Sequence, residues 1–547
     1  MQALLRVLSR ILGSPPKVCS DAVADLSRIW QAHEFGLTPD LLKTSRKPPT
    51  QKSSTMSVLK LIATAIHDYT NFTTVFLAVF VFLLTYKLFR RPGNLPPGPR
   101  SWPLIGNLPI LSHDAAHVQF TELSKKYGDV FTIYYGPKLV VVLNGFETIK
   151  EALIKKGKDF SDRQRANNSL GVAFAPYGPF WREQRKFTMA GLRDFGVGKR
   201  SLEGRILEEA EALRMEIIKT DRKPFNIFPL LRSAVTNVIC SIVFGARHES
   251  EDAAFKTFLE DINTRFRTPN AINRFYHVLR HLPVLAIGRS AQALHEAVER
   301  MRQFVKTKVD EHQRDFESDN IRDFVDVYIQ EMRSGHKENF TDQQLVYVVV
   351  DLLLAGTDTT SQSLYWILLY MIIYPETQER AGEEIYRTFG DSAPPTMARR
   401  KEVPFTEAVI SEVQRINGVA PLTIPRSTSN DTVLHGYDIP RGTMVHVNLW
   451  SVLTDPNLWE EPDQFKPERF LDNQGQYMKR DAFIPFSIGQ RFCLGTQLAR
   501  MELFMFTTYL LQHFTFKLPE SAAAPSTVGK LGLSNGARPY ELCAIPK

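Results

Sequence analysis

The sequence predicts one large, mainly α-helical domain with a minor β region, placed behind an N-terminal membrane-spanning helix. Three observations carry this reading. Residues 201–220, 292–317 and 343–374 are helix-patterned, and no convincing linker divides the chain between the first hundred residues and Lys547. The segments 130–135 and 139–143 flank Gly136-Pro137-Lys138 and read as a β-hairpin. Residues 72–89 are apolar or aromatic, broken only by threonines, Tyr86 and Lys87.

That last run is about 18 residues, or roughly 27 Å of helix, close to the ~30 Å of a bilayer's hydrocarbon core. Lys87, Arg90, Arg91 and Arg100 follow it. This basic flank puts the downstream chain on the cytosolic side. The expected organisation is therefore an extension over 1–71, an anchor over 72–91, a proline-rich hinge over 92–106 and a catalytic domain over 107–547. The extension reads either as disordered or as a targeting segment. Its first twelve residues carry Arg6 and Arg10, no acid, and apolar residues at helical spacing, as a mitochondrial targeting helix does. Translation from Met56 is a further reading. The hinge holds Pro92, Pro96, Pro97, Pro99 and Pro103, whose fixed φ makes it stiff.

The 547 residues carry a net charge of +8, with much of the excess before the anchor. That balance suits an anionic membrane surface or an acidic protein partner. No nucleic-acid-binding motif accompanies it, so a nucleic-acid partner is excluded. The four cysteines form no CxxC pair and no disulfide framework, which favours a reducing compartment. Segment 343–374 is apolar enough to resemble a second span. Asp351, Gly356 and Asp358 near its middle argue for a helix through a soluble core instead.

Chemistry concentrates around Cys493. In the run from Phe486 to Gly495, two glycines and Arg491 flank the cysteine at fixed offsets. Glycine lets backbone approach a flat ligand closely. A helix over 496–513 would direct its first N–H groups toward the sulfur and favour thiolate. Ala355-Gly356-Thr357-Asp358-Thr359-Thr360 puts small and hydroxylated residues in mid-helix. There a threonine can back-bond and distort the helix, and an acid beside it can relay protons. Glu412 and Arg415 are spaced to share one helix face. Taken singly, each of these has an ordinary structural explanation: a small buried cysteine, a satisfied kink, a surface ion pair.

Together they carry a resemblance. The run FxxGxRxCxG at Phe486–Gly495 is similar to the haem-binding signature of the cytochrome P-450 superfamily. Residues 92–547 resemble its microsomal family 2, most like the U subfamily. The resemblance implies the superfamily's mainly α, triangular fold with a minor β region. It implies haem b as cofactor, with Cys493 as the metal ligand and Phe486 and Gly495 lining the haem. Arg163, Trp181, Arg185, Arg426 and Arg491 then reach the haem propionates; many relatives carry histidine where Arg426 stands. Glu412, Arg415 and Arg469 match the structural Glu-Arg-Arg triad. Asp358 and Thr359 match the oxygen-activation pair. Phe174, Leu354, Ala355, Ala420, Ile424 and Leu533 take substrate-facing positions, and their apolar character implies a lipophilic substrate.

The implied activity is a monooxygenase that inserts one oxygen of O₂ into a lipophilic small molecule. Long-chain fatty acids such as arachidonate come first, then xenobiotics or steroids. Electrons come from NADPH through cytochrome P-450 reductase, with cytochrome b5 and membrane lipid as further partners. The expected location is the endoplasmic reticulum membrane. Two rivals stand beside this: a haem-thiolate isomerase or dehydratase acting on peroxides, and a non-enzymatic haem-binding protein. The Asp358-Thr359 pair argues against the first, and the completeness of the motifs against the second.

Overall fold

A computed structural model describes Leu77, Val79 and residues 93–102, 105–112, 114–164, 170–249, 251–268, 285–335, 338–520 and 522–547. The expected extension, and all of the expected anchor but Leu77 and Val79, lie outside the described residues. The chain divides into two units, Met1–Leu84 and Thr85–Lys547.

Helices dominate the second unit: α1 Ala116–Tyr127, α2 Pro179–Asp194, α3 Ser201–Ile218, α4 Phe228–Val243, α5 Ala253–Arg267 and α6 Leu285–Arg314. After them come α7 Phe324–Ser334, α8 Asp342–Ile373, α9 Pro375–Phe389, α10 Pro404–Ile416 and α11 Thr496–His513. The 32-residue α8 is the axis. It packs against α4, α6, α10 and α11. Its C-terminal half, from Thr360 to Met371, is buried all round. A helix with neighbours on every side needs no amphipathic stripe, which explains why 343–374 read as nearly continuous apolar sequence. Among the described residues no helix is long and apolar enough to cross a membrane.

The β region is small. β1 Val130–Tyr135 and β2 Lys138–Leu143 form the expected hairpin, with Tyr135 opposite Lys138. Gly136 takes φ +60° in the two-residue turn. A glycine at the first turn position matches the twist of the paired strands. The remaining strands are β3 Arg426–Ser427, β4 Thr432–Leu434, β5 Tyr437–Ile439, β6 Met444–Val447, β7 Phe514–Lys517, β8 Lys530–Leu531, β9 Asn535–Gly536 and β10 Cys543–Pro546. One sheet runs in the order β1-β2-β6-β3, with β2 and β6 parallel.

The proline-rich hinge is not free along its length. Thr132 on β1 donates its N–H to Pro97 O at 2.7 Å and its hydroxyl to Pro96 O at 3.0 Å. A Cβ on Gly98 would lie 2.0 Å from Thr132 O, so only glycine fits this contact.

Candidate active site

The cysteine loop is shaped by its backbone. Cys493 N–H donates to Phe486 O at 3.0 Å, closing the loop. Ser487 and Gly489 both take positive φ, +60° and +79°. A Cβ at Gly489 would sit 2.1 Å from Leu153 O. Gly495 caps α11. Burial pushes the Cys493 thiol pKa up, opposed by the Gly495 N–H, the Thr496 hydroxyl and the Arg185 charge. The residue is nonetheless exposed. Coordination by a metal favours the thiolate that burial alone disfavours.

Beside it four guanidiniums converge. Arg426 is 1% exposed, and burial, then Arg163 and Arg185, pull its pKa down to about 9. Arg491 falls to about 8 through burial and the charges of Arg163 and Arg426. Arg163, at about 10, is lowered by burial and held up by Asp351 and Asp162. Arg185 is lowered by burial and bonds Phe492 O at 2.7 Å. Trp181 is covered by the Arg491 guanidinium, 4.0 Å from its ring centroid, and donates its indole N–H to Val172 O at 3.0 Å. Among the described residues Arg426 Nε has no partner. Four guanidiniums set against Asp162 and Asp351 leave two positive charges and an orphaned donor. Buried charge of this kind calls for an anionic partner, and the two propionates of a haem supply it. The site therefore fits haem b, which Cys493 would ligate and these cations would hold by its propionates.

On α8 the Thr359 hydroxyl donates to Ala355 O at 2.7 Å, the expected back-bond. Ala355, in the middle of the most enclosed helix, is exposed. Thr359 lies one turn on and is partly exposed. Asp358 is fully buried and already engaged. It accepts both contacts of Arg267 Nη2, at 2.9 and 3.1 Å, and the Ser534 hydroxyl at 2.6 Å. Motif reading singled out Asp358 but not Arg267 or Ser534, which lie far from it in sequence and in no motif. The triad residues come together: Arg415 Nε and Nη2 donate to Glu412 at 2.7 and 2.8 Å, and Arg469 Nε at 3.1 Å. Glu412 and Arg415 are completely buried.

The substrate-facing candidates are scattered in sequence but share a character. Phe174 and Ala420 are exposed, and Leu354, Ile424 and Leu533 are partly so. Ile424 is tied to the cation cluster through its carbonyl, which accepts Arg163 Nη1 at 2.6 Å. Leu533 N–H donates to Phe266 O at 2.9 Å, beside Arg267.

Comparison with known proteins agrees with this geometry. The cytochrome P450 family model matches residues 96–544. Rat cytochrome P450 2U1 is 40% identical over 83% of this chain and 91% of its own length. Human cytochrome P450 2J2 is 38% identical over 90% of this chain and all of its own, and rat cytochrome P450 2D26 is 40% identical over 87% and 97%. The chain thus belongs to the cytochrome P450 family, within microsomal family 2 and most like the U subfamily, and is a haem b-dependent monooxygenase.

Proposed function

We propose that the protein inserts one atom of O₂ into a lipophilic small molecule, foremost a long-chain fatty acid such as arachidonate, on electrons passed from NADPH through cytochrome P-450 reductase. The observation that carries the substrate class is the exposure of Ala355 in mid-α8. Ala355 and the partly exposed Thr359, one turn apart, leave uncovered surface at the middle of α8, and this reading places an apolar substrate recess there. Leu354, Ile424, Leu533 and Phe174 are the apolar residues assigned to its lining. Such a lining holds an apolar chain and excludes water.

Bound haem supplies the activation of O₂. The chain's own residues do the rest. Cys493 ligates the metal. Arg163, Arg185, Arg426 and Arg491 hold the propionates. Thr359, its proton committed to Ala355 O, turns acceptor lone pairs toward the recess and orients water there. Asp358 relays protons: an oxygen released by Arg267 or Ser534 takes up a proton from water and passes it toward the site.

The electron donor is proposed from a surface that adjoins the cysteine loop and shares Trp181 and Arg185 with the cation cluster. A groove of about 570 Å³ is lined by Arg182, Arg185, Lys186, Arg193, Gln490 and Phe492, among others, with no acid among them. Phe492 adjoins Cys493 in sequence. A cationic groove this close to the metal ligand suits an acidic electron-transfer partner. Residues 72–91 anchor the chain in the endoplasmic reticulum membrane in this reading.

Two measurements test it. Cys493→His is expected to abolish the red-shifted Soret band of the reduced carbonyl complex; a normal thiolate spectrum would exclude Cys493 as ligand. Purified protein with reductase and NADPH is expected to oxygenate arachidonate, with a substrate-induced spectral shift. Turnover of steroids or drug-like probes without any arachidonate product would move the substrate class away from fatty acids.

A further inference from the structure

The five-residue segment from Gly171 to Ala175 is bonded on both sides. Its N–H groups go to α8. Gly171 N–H donates to Gln344 Oε1 at 2.9 Å, and Gln344 Nε2 returns a bond to Gly171 O at 3.1 Å. Val172 and Ala173 N–H both donate to Asp351 Oδ2, at 2.8 and 2.9 Å. The carbonyls of Val172, Ala173 and Ala175 go the other way, to the cation cluster. Val172 O accepts Trp181 Nε1 at 3.0 Å and Arg491 Nη1 at 3.3 Å. Ala173 O accepts Arg163 Nε at 3.0 Å, and Ala175 O accepts Arg491 Nη2 at 2.6 Å. Peptide units fixed at both their N–H and C=O ends transmit position as a rigid strut.

Gly171 shows how closely the segment is drawn to α8. It takes φ +81°, and a Cβ there would lie 2.3 Å from Asp351 Oδ2. Asp351 is costly where it stands. Burial lifts its pKa to about 6, against the opposing pull of the Ala173 and Val172 N–H groups and Arg163. A partly exposed carboxylate whose desolvation its partners do not fully offset is weak evidence of a stabilising role. Its reach through the segment to three propionate-facing side chains points to another role.

We propose that Asp351, assisted by Gln344, is a positioning residue for the haem-propionate clamp, acting on Arg163, Trp181 and Arg491 through the Gly171–Ala175 segment. The proposal rests on the haem-thiolate reading above. Asp351 touches no reacting atom. It sets where three side chains stand, and Phe174 rides on the same segment.

The test uses the full-length holoprotein and its Asp351→Ala, Asp351→Asn and Gly171→Ala variants. Haem loss is followed by transfer to excess apomyoglobin, and the propionate bending bands by resonance Raman spectroscopy. Losing two charge-assisted bonds in Asp351→Ala is expected to speed haem loss about tenfold and to move the propionate bands. Asp351→Asn, which keeps one acceptor oxygen, should show a smaller change of about threefold. Its melting temperature should not fall below the parent's, because a neutral group of the same size relieves the desolvated charge. The fraction still loaded should keep its carbonyl thiolate band, since Cys493 is untouched. Haem loss within about twofold of the parent with unmoved propionate bands would overturn the proposal. So would a fall in melting temperature that tracks haem loss across all variants, which marks a merely structural role. If Asp351→Ala fails to fold, the Asn and Gly171→Ala variants decide the matter by the same criteria. A parent protein that binds no haem, or lacks the thiolate band, would bring down the haem-thiolate reading itself.

Discussion

At the scale of single residues, the cysteine loop and the proposed proton relay are built from separate parts of the chain. Gly489 holds the cysteine loop against Leu153 O at a distance no side chain tolerates, and at a φ that L residues rarely adopt. Gly489→Ala is expected to cost on the order of 1–3 kcal/mol in strain. Haem incorporation should fall with it, as measured by the ratio of Soret to protein absorbance. Normal loading would mean that the loop can shift without moving Cys493. Thr359→Ala removes the hydroxyl proposed to orient water but leaves Cys493 and the cations intact. It should raise the peroxide-to-product ratio at an unchanged carbonyl spectrum, and an unchanged ratio would reduce Thr359 to a helix kink. Asp358→Asn should do the same and also lower the melting temperature, since Arg267 loses its buried counter-charge. Asp358 was legible in the sequence because its motif is local. Arg267 lies 91 residues away, and nothing in a run of arginines on a helix says which one turns inward. Asp351 read only as a charge too expensive for lipid. The two N–H groups that it accepts come from positions 178 and 179 residues earlier.

Helices were the most legible elements, and their buried environments explain the misses. The segment read as 343–374 forms Asp342–Ile373, because Thr341 supplies an N-cap, accepting Gln344 N–H at 3.2 Å. The segment read as 292–317 begins earlier, at Leu285, and ends at Arg314. Its opening Leu-Ala-Ile-Gly lacks the charged face that marks the rest. The two-residue strands β8 and β9 carry no period to detect, yet the turn between them brings Ser534 to Asp358. One inter-element clamp makes a pH prediction. His312 at the end of α6 sets Nε2 2.9 Å from Asp323 Oδ2 and Nδ1 2.8 Å from Lys308 O. Asp323 also caps α7 by accepting Asp326 N–H at 3.0 Å. Burial lowers the His312 pKa, but the Asp323 bond and charge outweigh it and the net shift is upward. With the folded pKa above 6.5, the clamp contributes fully below that pH and is lost as pH rises through the folded value. Its worth is about 1 kcal/mol or less. Melting temperatures of His312→Gln should converge on the parent's as pH rises from about 6 to about 9. A gap constant over that range would show that His312 acts by packing alone.

At the scale of the whole molecule, charge placement matters more than charge total. The net +8 was legible at once, but much of it precedes residue 72 and lies outside the described residues. The asymmetry on which the proposed docking rests is the groove that joins Arg182, Lys186 and Arg193 on α2 to Gln490 and Phe492 in the cysteine loop. About three hundred residues separate the two segments, so composition and motif reading pass over it. Cations on a shared, acid-free surface attract an acidic partner over roughly a Debye length, ~10 Å at 0.1 M salt. Raising ionic strength shortens that reach and slows encounter without touching the haem pocket. Reductase-supported turnover should therefore fall as salt rises from about 0.05 to about 0.5 M, while the carbonyl spectrum and substrate-induced spectral shifts hold steady. Lys186→Glu and Arg193→Glu should each raise the reductase concentration needed for half-maximal rate by roughly three- to tenfold, and flatten the salt dependence. Peroxide-supported turnover bypasses the electron donor, so it separates docking from catalysis. Both variants should keep the parent's rate in that assay. If the charge reversals instead depress peroxide-supported turnover equally, the groove acts on the haem site rather than on a partner. If they leave reductase dependence unchanged, the electron donor docks elsewhere.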